Sequence, residues 1–508
     1  MTERPEITRF LIVKNGAYSV FSWLFPIFVA LISTRLIVGG LGTDAYGLYA
    51  MIIGFVSYSF SFGIGKTAAK YVAELRSAGE IDRMSQAVSA VLIVSTLFGA
   101  VVLLVTYFTA SIIVSDLLGI AGSTRPAAAT ALVLAALTIL FTMVSQVFQF
   151  ILQGLHRFDR YLILTNISGL LLSIGNVVLA LNDFGVVALV AWNCLLVAAI
   201  APVFFAVSRR LLPEFRFRLS IPRDVWRNVL VYAGSIAAYQ TFGNALLLFE
   251  RAWIVRKFGT EALTFYVLPM LLCLYFHGLV SSLVMVIFPV VNELLNEEEK
   301  LARLYRTSIK AVFALTALFA VSTVITGGLF LNLWLGEAFA ERSYLILIIH
   351  VATFSIISMT IIAWQMTESF GVARANAFAS GTWFLISVPL MVVFSQTWQT
   401  EGVAVARLIG VTGFVGLIIY VDRKFVRPSD RPFWAPTLLR ILVAATAAAT
   451  VEFALTRVIT LGWLAFGISG IVGAATFIAT LYFVGFIEDE EKATISDIVS
   501  RMRSPASR

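Results

Sequence analysis

Long apolar runs alternate with short polar links along the whole chain, and the spacing of the alternation is that of a membrane. A bilayer core of ~30 Å takes about 20 apolar helical residues to cross. Runs of that kind fall at 10–38, 45–65, 85–114, 127–152, 161–181 and 186–207, and again at 229–255, 264–291, 305–333, 343–370, 375–396 and 401–421. A last pair falls at 438–460 and 462–486. The pattern predicts an all-α integral membrane protein with about fourteen transmembrane helices, spans 1 to 14. The longer polar links divide the chain into a lobe at 1–207, a basic link at 208–228, a second lobe at 229–421, a second basic link at 422–437, a pair of helices at 438–486 and a polar tail at 487–508.

The links also carry an internal repeat. Leu41-Gly42-Thr43-Asp44-Ala45 and Tyr49 recur as Phe258-Gly259-Thr260-Glu261-Ala262 and Tyr266, a lag of 217 residues. The same lag relates Leu118-Gly119 to Leu335-Gly336, Gly154 and Arg157 to Gly371 and Arg374, and Gly185-Val186 to Gly402-Val403. A constant lag at four separate helix ends points to two parallel six-helix pseudo-repeats related by an axis along the membrane normal, with spans 13 and 14 as an addition. Two like-facing halves of that kind enclose a cavity that rocking exposes to each side in turn, which is transporter architecture.

Composition agrees with the spans. Of the 508 residues, 59% are hydrophobic and 13% charged, against roughly 45–50% and 25% in soluble chains. Lipid is the solvent for most of this chain. The basic residues at the N-terminus precede a long run with no small-residue cleavage site, so span 1 is expected to be retained. Cys194 and Cys273 both fall within spans, and no disulfide framework is expected. The net charge of +8 is explained by its distribution. With the N-terminus inside, 29 of the 37 Lys and Arg residues lie in or beside inside segments and four lie in outside links. The positive-inside rule then puts both termini in the cytoplasm, and anionic lipid accounts for the basic face without nucleic acid.

Polar residues within spans are the candidate site, because they are costly there and usually face a cavity. Gln240, Asn244 and Arg251 of span 7 share one helical face, with Glu250 beside Arg251. Two readings stay open: a lumen stripe that binds sugar and an anion, or a self-neutralising pair at the outer interface. In span 8, Cys273, His277 and Ser281 follow at four-residue spacing. His277 lies near the midplane, either titrating in transport or hydrogen-bonded between helices. Gln146, Gln149 and Gln153 lie on one face of span 4, and Gln365 and Glu368 at comparable depth in span 10. Their amides suit sugar hydroxyls and suit helix packing equally. Span 1 has a small-polar stripe, Asn15, Ser19, Ser22, Pro26, Ala30 and Ser33, with Arg35 off it. Arg35 and Arg407 are expected to snorkel. Glu452 and Arg457, five apart in span 13, are poorly spaced to pair. Lys66 and Lys70 can attract phosphate or lipid headgroups. No metal or cofactor site is expected. Gly65-Lys66-Thr67 imitates the end of a P-loop, but Phe60 stands where a glycine is required and no strand precedes it. The sequon at Asn166 is buried in span 5.

Several of the links resemble a known family. Leu41-Gly42, Tyr46-Gly47, Tyr49 and Phe62-Gly63 flank span 2; Gln153-Gly154-Leu155-His156-Arg157-Phe158 follows span 4; Trp334-Leu335-Gly336 follows span 9; and Glu401-Gly402-Val403 opens span 12. In this order they are similar to the Wzx-type O-antigen and exopolysaccharide flippases of bacterial inner membranes. Those flippases belong to the multidrug/oligosaccharidyl-lipid/polysaccharide exporter superfamily. The resemblance implies a flippase, not an enzyme, that moves an undecaprenyl-pyrophosphate-linked oligosaccharide from the cytoplasmic to the periplasmic leaflet for lipopolysaccharide or exopolysaccharide biosynthesis. It implies a cationic cavity, and spans 13 and 14 serving the lipid tail. Its partners are expected to be the lipid-linked oligosaccharide, membrane lipids and polysaccharide polymerase or assembly proteins, around a monomeric transporter.

Two rivals remain. A multidrug antiporter of the same superfamily would often couple ions through an acid in the first half. Here Asp44, Asp116, Asp159 and Asp183 all lie in links, which leaves Glu250 or Glu368 for that role. A membrane-bound glycan polymerase or ligase would need catalytic outer loops, and every outer link is short and lacks paired acids.

Overall fold

The computed structural model describes residues 9–59, 64–285, 291, 294, 297–372, 374–426 and 432–487. All the regular secondary structure among them is helical. In chain order the helices are α1 (Arg9–Leu41), α2 (Thr43–Ser59), α3 (Ile64–Ser77), α4 (Ile81–Ile112), α5 (Thr124–Gly154), α6 (Phe158–Leu181), α7 (Gly185–Leu211), α8 (Arg223–Met285), α9 (Glu298–Leu335), α10 (Glu337–Met359), α11 (Ile361–Ser369), α12 (Arg374–Val411), α13 (Val415–Lys424), α14 (Trp434–Val458) and α15 (Gly462–Phe483).

Ten helical stretches among the described residues are long and apolar enough to cross a bilayer. Two of them contain a break. Gly259 (φ 87°, ψ 172°) divides α8, and Trp398 with Gln399 (φ 47°) divides α12. Each of these helices is therefore a pair of crossing legs. With α1 and α2, the fourteen expected spans are accounted for among the described residues.

The links are shorter than expected. Spans 7 and 8 meet at the single reversed residue Gly259, and α9 and α10 meet at Gly336 (φ 97°). Without a Cβ, glycine turns the chain through the left-handed region at no steric cost, so one residue ends a helix and starts the next. Gly42 (φ 79°) does the same 217 residues earlier, between α1 and α2, and Gly119 (φ 70°), 217 residues before Gly336, also has positive φ but lies in a six-residue link before α5. Two of the four repeated links thus share a glycine at positive φ as well as a sequence.

The basic link after span 2 is a helix, α3. Ile64, Ala68 and Val72 recur every fourth residue and are buried, while Lys66 and Lys70 face outward. This is an amphipathic strip. Span 10 is likewise two helices, α10 and α11, parted at Thr360, whose hydroxyl donates to the carbonyls of Ile356 and Ile357 (3.1 and 2.9 Å).

The described chain forms two compact units. Among the described residues, one holds Pro26–Val267 and Ser380–Ala406; the other holds Leu268–Ala379 and 407–487 with 9–25. This division differs from the repeat halves, since the first leg of α8 packs with α2–α7. In that unit α5 lies against α3, α4 and α7. Ala128, Ala131, Ala135 and Ala136 of α5 are buried, and such small residues allow the close approach on which packing in lipid depends. In the other unit α9 packs on α10, α14 and α15. Leu97, Val101, Leu104, Phe108 and Ile112 leave one face of α4 apolar and exposed. Water would drive that face to aggregate, whereas lipid solvates it.

Candidate substrate-binding site

The first leg of α8 carries the most informative set of polar groups. Arg251 and Glu250 are 5% and 1% exposed. Both side chains are enclosed by protein. Arg251 Nη1 donates to the carbonyl of Ala50 on α2 at 2.7 Å. That carbonyl is reachable because Gly54, one turn further along α2, has no side chain. A Cβ there would lie 2.7 Å from Arg251 Nη1 and 2.9 Å from Cδ.

Seven and eleven residues back lie Asn244 and Gln240. Gln240 Oε1 and Asn244 Nδ2 are buried and have no hydrogen-bond partner among the described residues. A buried acceptor or donor left unmet costs about 1–3 kcal/mol. A ligand carrying hydroxyls, which both donate and accept, would satisfy this pair. On the neighbouring face of the same leg, Leu248 and Ala252 join Met51, Phe55, Val114 and Leu132 around a cavity of about 160 Å³ walled by apolar side chains. Such a space offers sugar no polar partner.

The repeated loops meet within the same unit. Thr43 donates to Glu261 Oε1 at 3.3 Å, and Thr260 donates to Asp44 Oδ1. The two bonds are reciprocal, because Thr260 and Glu261 are Thr43 and Asp44 displaced by the lag of 217 residues. Thr264 also donates to the carbonyl of Thr43 at 2.6 Å. A Cβ at Gly47 would fall 1.7 Å from the carbonyl oxygen of Thr260, so only glycine lets the loops approach this closely.

A model of the polysaccharide biosynthesis protein family matches residues 41–343. The chain belongs to this family. A protein of Shigella flexneri named as an O-antigen transporter is 22% identical over 382 residues, 72% of this chain and 87% of that one. Solved structures show the same fold at low identity. A structure of the lipid II flippase MurJ in an inward closed conformation has a TM-score of 0.72 at 14% identity, covering 92% of this chain and 99% of that one. An inward-facing multidrug resistance MATE family transporter has 0.66 at 15%, covering 80% and 98%. A MOP superfamily transporter from Pyrococcus furiosus has 0.60 at 15%, covering 82% and 95%. The order of the links thus agrees with this polysaccharide biosynthesis family, and the chain has the multi-helix fold of these flippase and transporter structures.

The other residues expected to form the site are dispersed in this family member. Gln146, Gln149 and Gln153 are half-buried on α5; Gln149 Nε2 donates to Ser145 Oγ one turn back (3.1 Å). No hydrogen bond joins the three to Gln240 or Asn244 among the described residues. Arg35 is exposed on α1 beside the buried Ser33 and Thr34, and Lys66 is exposed on α3. The side chains of Asn15, Ser19 and Ser22 lie outside the described residues. His277 belongs to the other unit. Its Nδ1 faces Ser358 Oγ at 3.0 Å and its Nε2 faces Ser281 Oγ at 3.4 Å, so both ring nitrogens have protein partners. That is the geometry of an interhelical histidine. Gln365 lines a small space between α8, α9 and α11, and Glu368 Oε1 accepts from Trp364 Nε1 at 2.9 Å.

Three further buried polar groups lay outside the expected set. Arg407 was expected to snorkel. It is 1% exposed, donates to Met270 Sδ at 2.8 Å and lies 5.1 Å from the centre of the Phe354 ring. A planar guanidinium can lie on an aromatic face, so it need not reach the surface. Tyr49 accepts from Asn176 Nδ2 and Asn193 Nδ2 (3.0 and 3.1 Å), which ties α2 to α6 and α7. Glu452 is fully buried, with Ser322 donating to it. The signal for all three was a strongly polar side chain inside an apolar run; what the sequence lacked was the identity of the partner.

Proposed function

We propose that this transporter is a flippase moving an undecaprenyl-pyrophosphate-linked oligosaccharide from the cytoplasmic to the periplasmic leaflet of the bacterial inner membrane, for surface polysaccharide synthesis. The observation that carries this reading is the α8 stripe: the unmet amide groups of Gln240 and Asn244 and, two turns further, the buried cation Arg251. Amides offer sugar hydroxyls both donors and acceptors, and a guanidinium suits a pyrophosphate. The family and the O-antigen relative agree with a glycan cargo. Both termini lie in the cytoplasm by the charge pattern, which puts the Thr43–Glu261 and Thr260–Asp44 loops on the periplasmic side. There their reciprocal bonds hold the exit closed, and breaking them is one half of alternating access between the two six-helix halves. No step of this cycle makes or breaks a covalent bond. The exposed apolar faces of α14 and α15, including Leu439, Leu442, Phe453, Ile471 and Phe483, suit an isoprenoid tail.

The test is Arg251→Ala in cells that depend on this chain for surface glycan. With membrane levels unchanged, surface polysaccharide falls and the lipid-linked precursor accumulates in the cytoplasmic leaflet. Wild-type glycan in that variant would remove Arg251 from the site. Changed drug susceptibility with normal glycan would move the chain to the multidrug antiporters.

A further inference from the structure

The helix pair α14–α15, added to the two repeats, holds a carboxyl group that no part of the proposed cycle uses. Glu452 lies six residues from the end of α14, or ~9 Å by helical rise. Its side chain is 0% exposed. One carboxyl oxygen, Oε1, accepts from Ser322 Oγ of α9 at 2.7 Å. The third wall is α15, and a niche is built into it. A Cβ at Gly473 would fall 2.0 Å from Oε1, 2.3 Å from Cγ and 2.5 Å from Cδ, so only glycine admits the carboxyl there. The other oxygen, Oε2, is buried with no hydrogen-bond partner among the described residues, and so is Ser469 Oγ, one turn before Gly473 on α15.

Among the described residues no charge pairs with a carboxylate at this place. α15 contains no Asp, Glu, Lys, Arg or His. On α14, Arg440 is three turns away and Arg457 is exposed with its guanidinium 5.0 Å from the Phe453 ring. On α9 the nearest cation along the helix from Ser322 is Lys310, ~18 Å away by helical rise, and its ammonium lies 5.0 Å from the Phe486 ring. Tyr305, Arg303 and Arg306 are further still. An ionised carboxylate in this low-dielectric niche would be uncompensated, and such groups in a membrane interior mark ion pathways and proton relays. A metal cation is a poor match, because hard cations take about six or more oxygens and the only oxygen seen on the carboxyl among the described residues is the Ser322 hydroxyl. Packing alone does not require an acid either: an amide would accept from Ser322 equally well and carry no charge.

We propose that Glu452 is a proton-binding site, holding one proton on its carboxyl in this conformation and giving it to water when the α9–α14–α15 contact opens during transport. The chain has no nucleotide-binding motif, so a proton gradient acting here is a source of drive. This inference rests on the chain being a transporter and not on the identity of its cargo.

Infrared difference spectroscopy of the full-length protein in phospholipid nanodiscs tests the first half. The C=O stretch of a protonated carboxylic acid, shifted by exchange into D₂O, is expected at neutral pH in the wild type and missing from Glu452→Gln. Its absence from the wild type would overturn the proposal, and that measurement needs no variant to fold. The second half is read in cells. Glu452→Gln, with unchanged membrane level and melting temperature, lowers surface polysaccharide by at least about tenfold, and Glu452→Asp restores part of it. Wild-type export by Glu452→Gln would make the carboxyl a packing group only. If Glu452→Gln exports normally while Arg251→Ala does not, this inference fails and the glycan reading stands. A sodium-dependent rather than pH-dependent loss would also overturn it.

Discussion

Gly54→Ala puts the proposed role of Arg251 to a test that leaves its charge in place. The added methyl would lie 2.7 Å from Nη1 and 3.1 Å from Cζ. Ordinary contact begins near 3.4 Å, so the guanidinium has to retreat by about 0.7 Å. The helix backbone of α2 cannot yield that distance cheaply; the end of a long side chain can. The retreat stretches or breaks the 2.7 Å bond to the Ala50 carbonyl. A hydrogen bond made by a charged group is worth about 1.5–3 kcal/mol net, or roughly 10- to 150-fold in any step that needs the guanidinium where it is. Alanine also favours a helix over glycine by about 0.5–1 kcal/mol, so a loss of function cannot be put down to a weaker α2. The assay is surface polysaccharide per unit of transporter in the membrane, with the melting temperature of the purified protein alongside. A fall within that range, matched by Arg251→Lys, which keeps the charge and loses the planar fork, is the expected result. Wild-type glycan in Gly54→Ala, where Arg251→Ala is defective, would show that the charge matters and its tether to Ala50 does not. Wild-type glycan in both would dismiss the α8 stripe as the site.

Two further outcomes are expected. Thr43→Val and Thr260→Val each remove one of the reciprocal loop bonds, worth about 0.5–1.5 kcal/mol. Amide hydrogen exchange should therefore rise in both loops, 42–47 and 259–264, whichever threonine is changed; a rise confined to the mutated loop would mean the loops do not act together. Arg83 donates to Asp224 at 2.7 Å and holds its carboxyl below the usual carboxylate range. A carboxyl lowered in the folded state contributes stability above its unfolded value, near 3.9, and loses it as pH falls through the lowered folded value. The melting temperatures of wild type and Asp224→Asn should therefore differ at neutral pH and converge in acid; the pair is exposed, so the difference is small. A difference that grows in acid would refute the assignment.

Which parts of this protein were legible beforehand depends on how local their cause is. A membrane crossing is set by some twenty consecutive side chains and the thickness of a bilayer, so the fourteen spans could be read from the apolar runs alone. The repeat was legible because a turn at positive φ favours glycine: Gly42 and Gly259, Gly119 and Gly336 keep both residue and lag. The candidate site was legible only in part. Periodicity placed Gln240, Asn244 and Arg251 on one face, and that face depends on nothing beyond helix geometry. The same periodicity grouped Gln146, Gln149 and Gln153, and could not tell a lumen amide from Gln149 bonding back to Ser145.

What the sequence by itself determined, then, is the solvent, the number of crossings and the duplication, since each follows from neighbours along the chain. Tertiary structure decided burial and partnership. Arg35 and Arg407 look alike as lone cations in apolar spans, yet one is exposed and the other is enclosed against Met270 and Phe354. Glu452 and Glu250 look like acids near helix ends, yet Gly473 and Ser322 enclose the one while the other lies buried beside a tethered arginine. The energy of a charged group in a membrane is set by what stands within a few ångströms of it, and those neighbours come from other helices, at distances along the chain that no local pattern records.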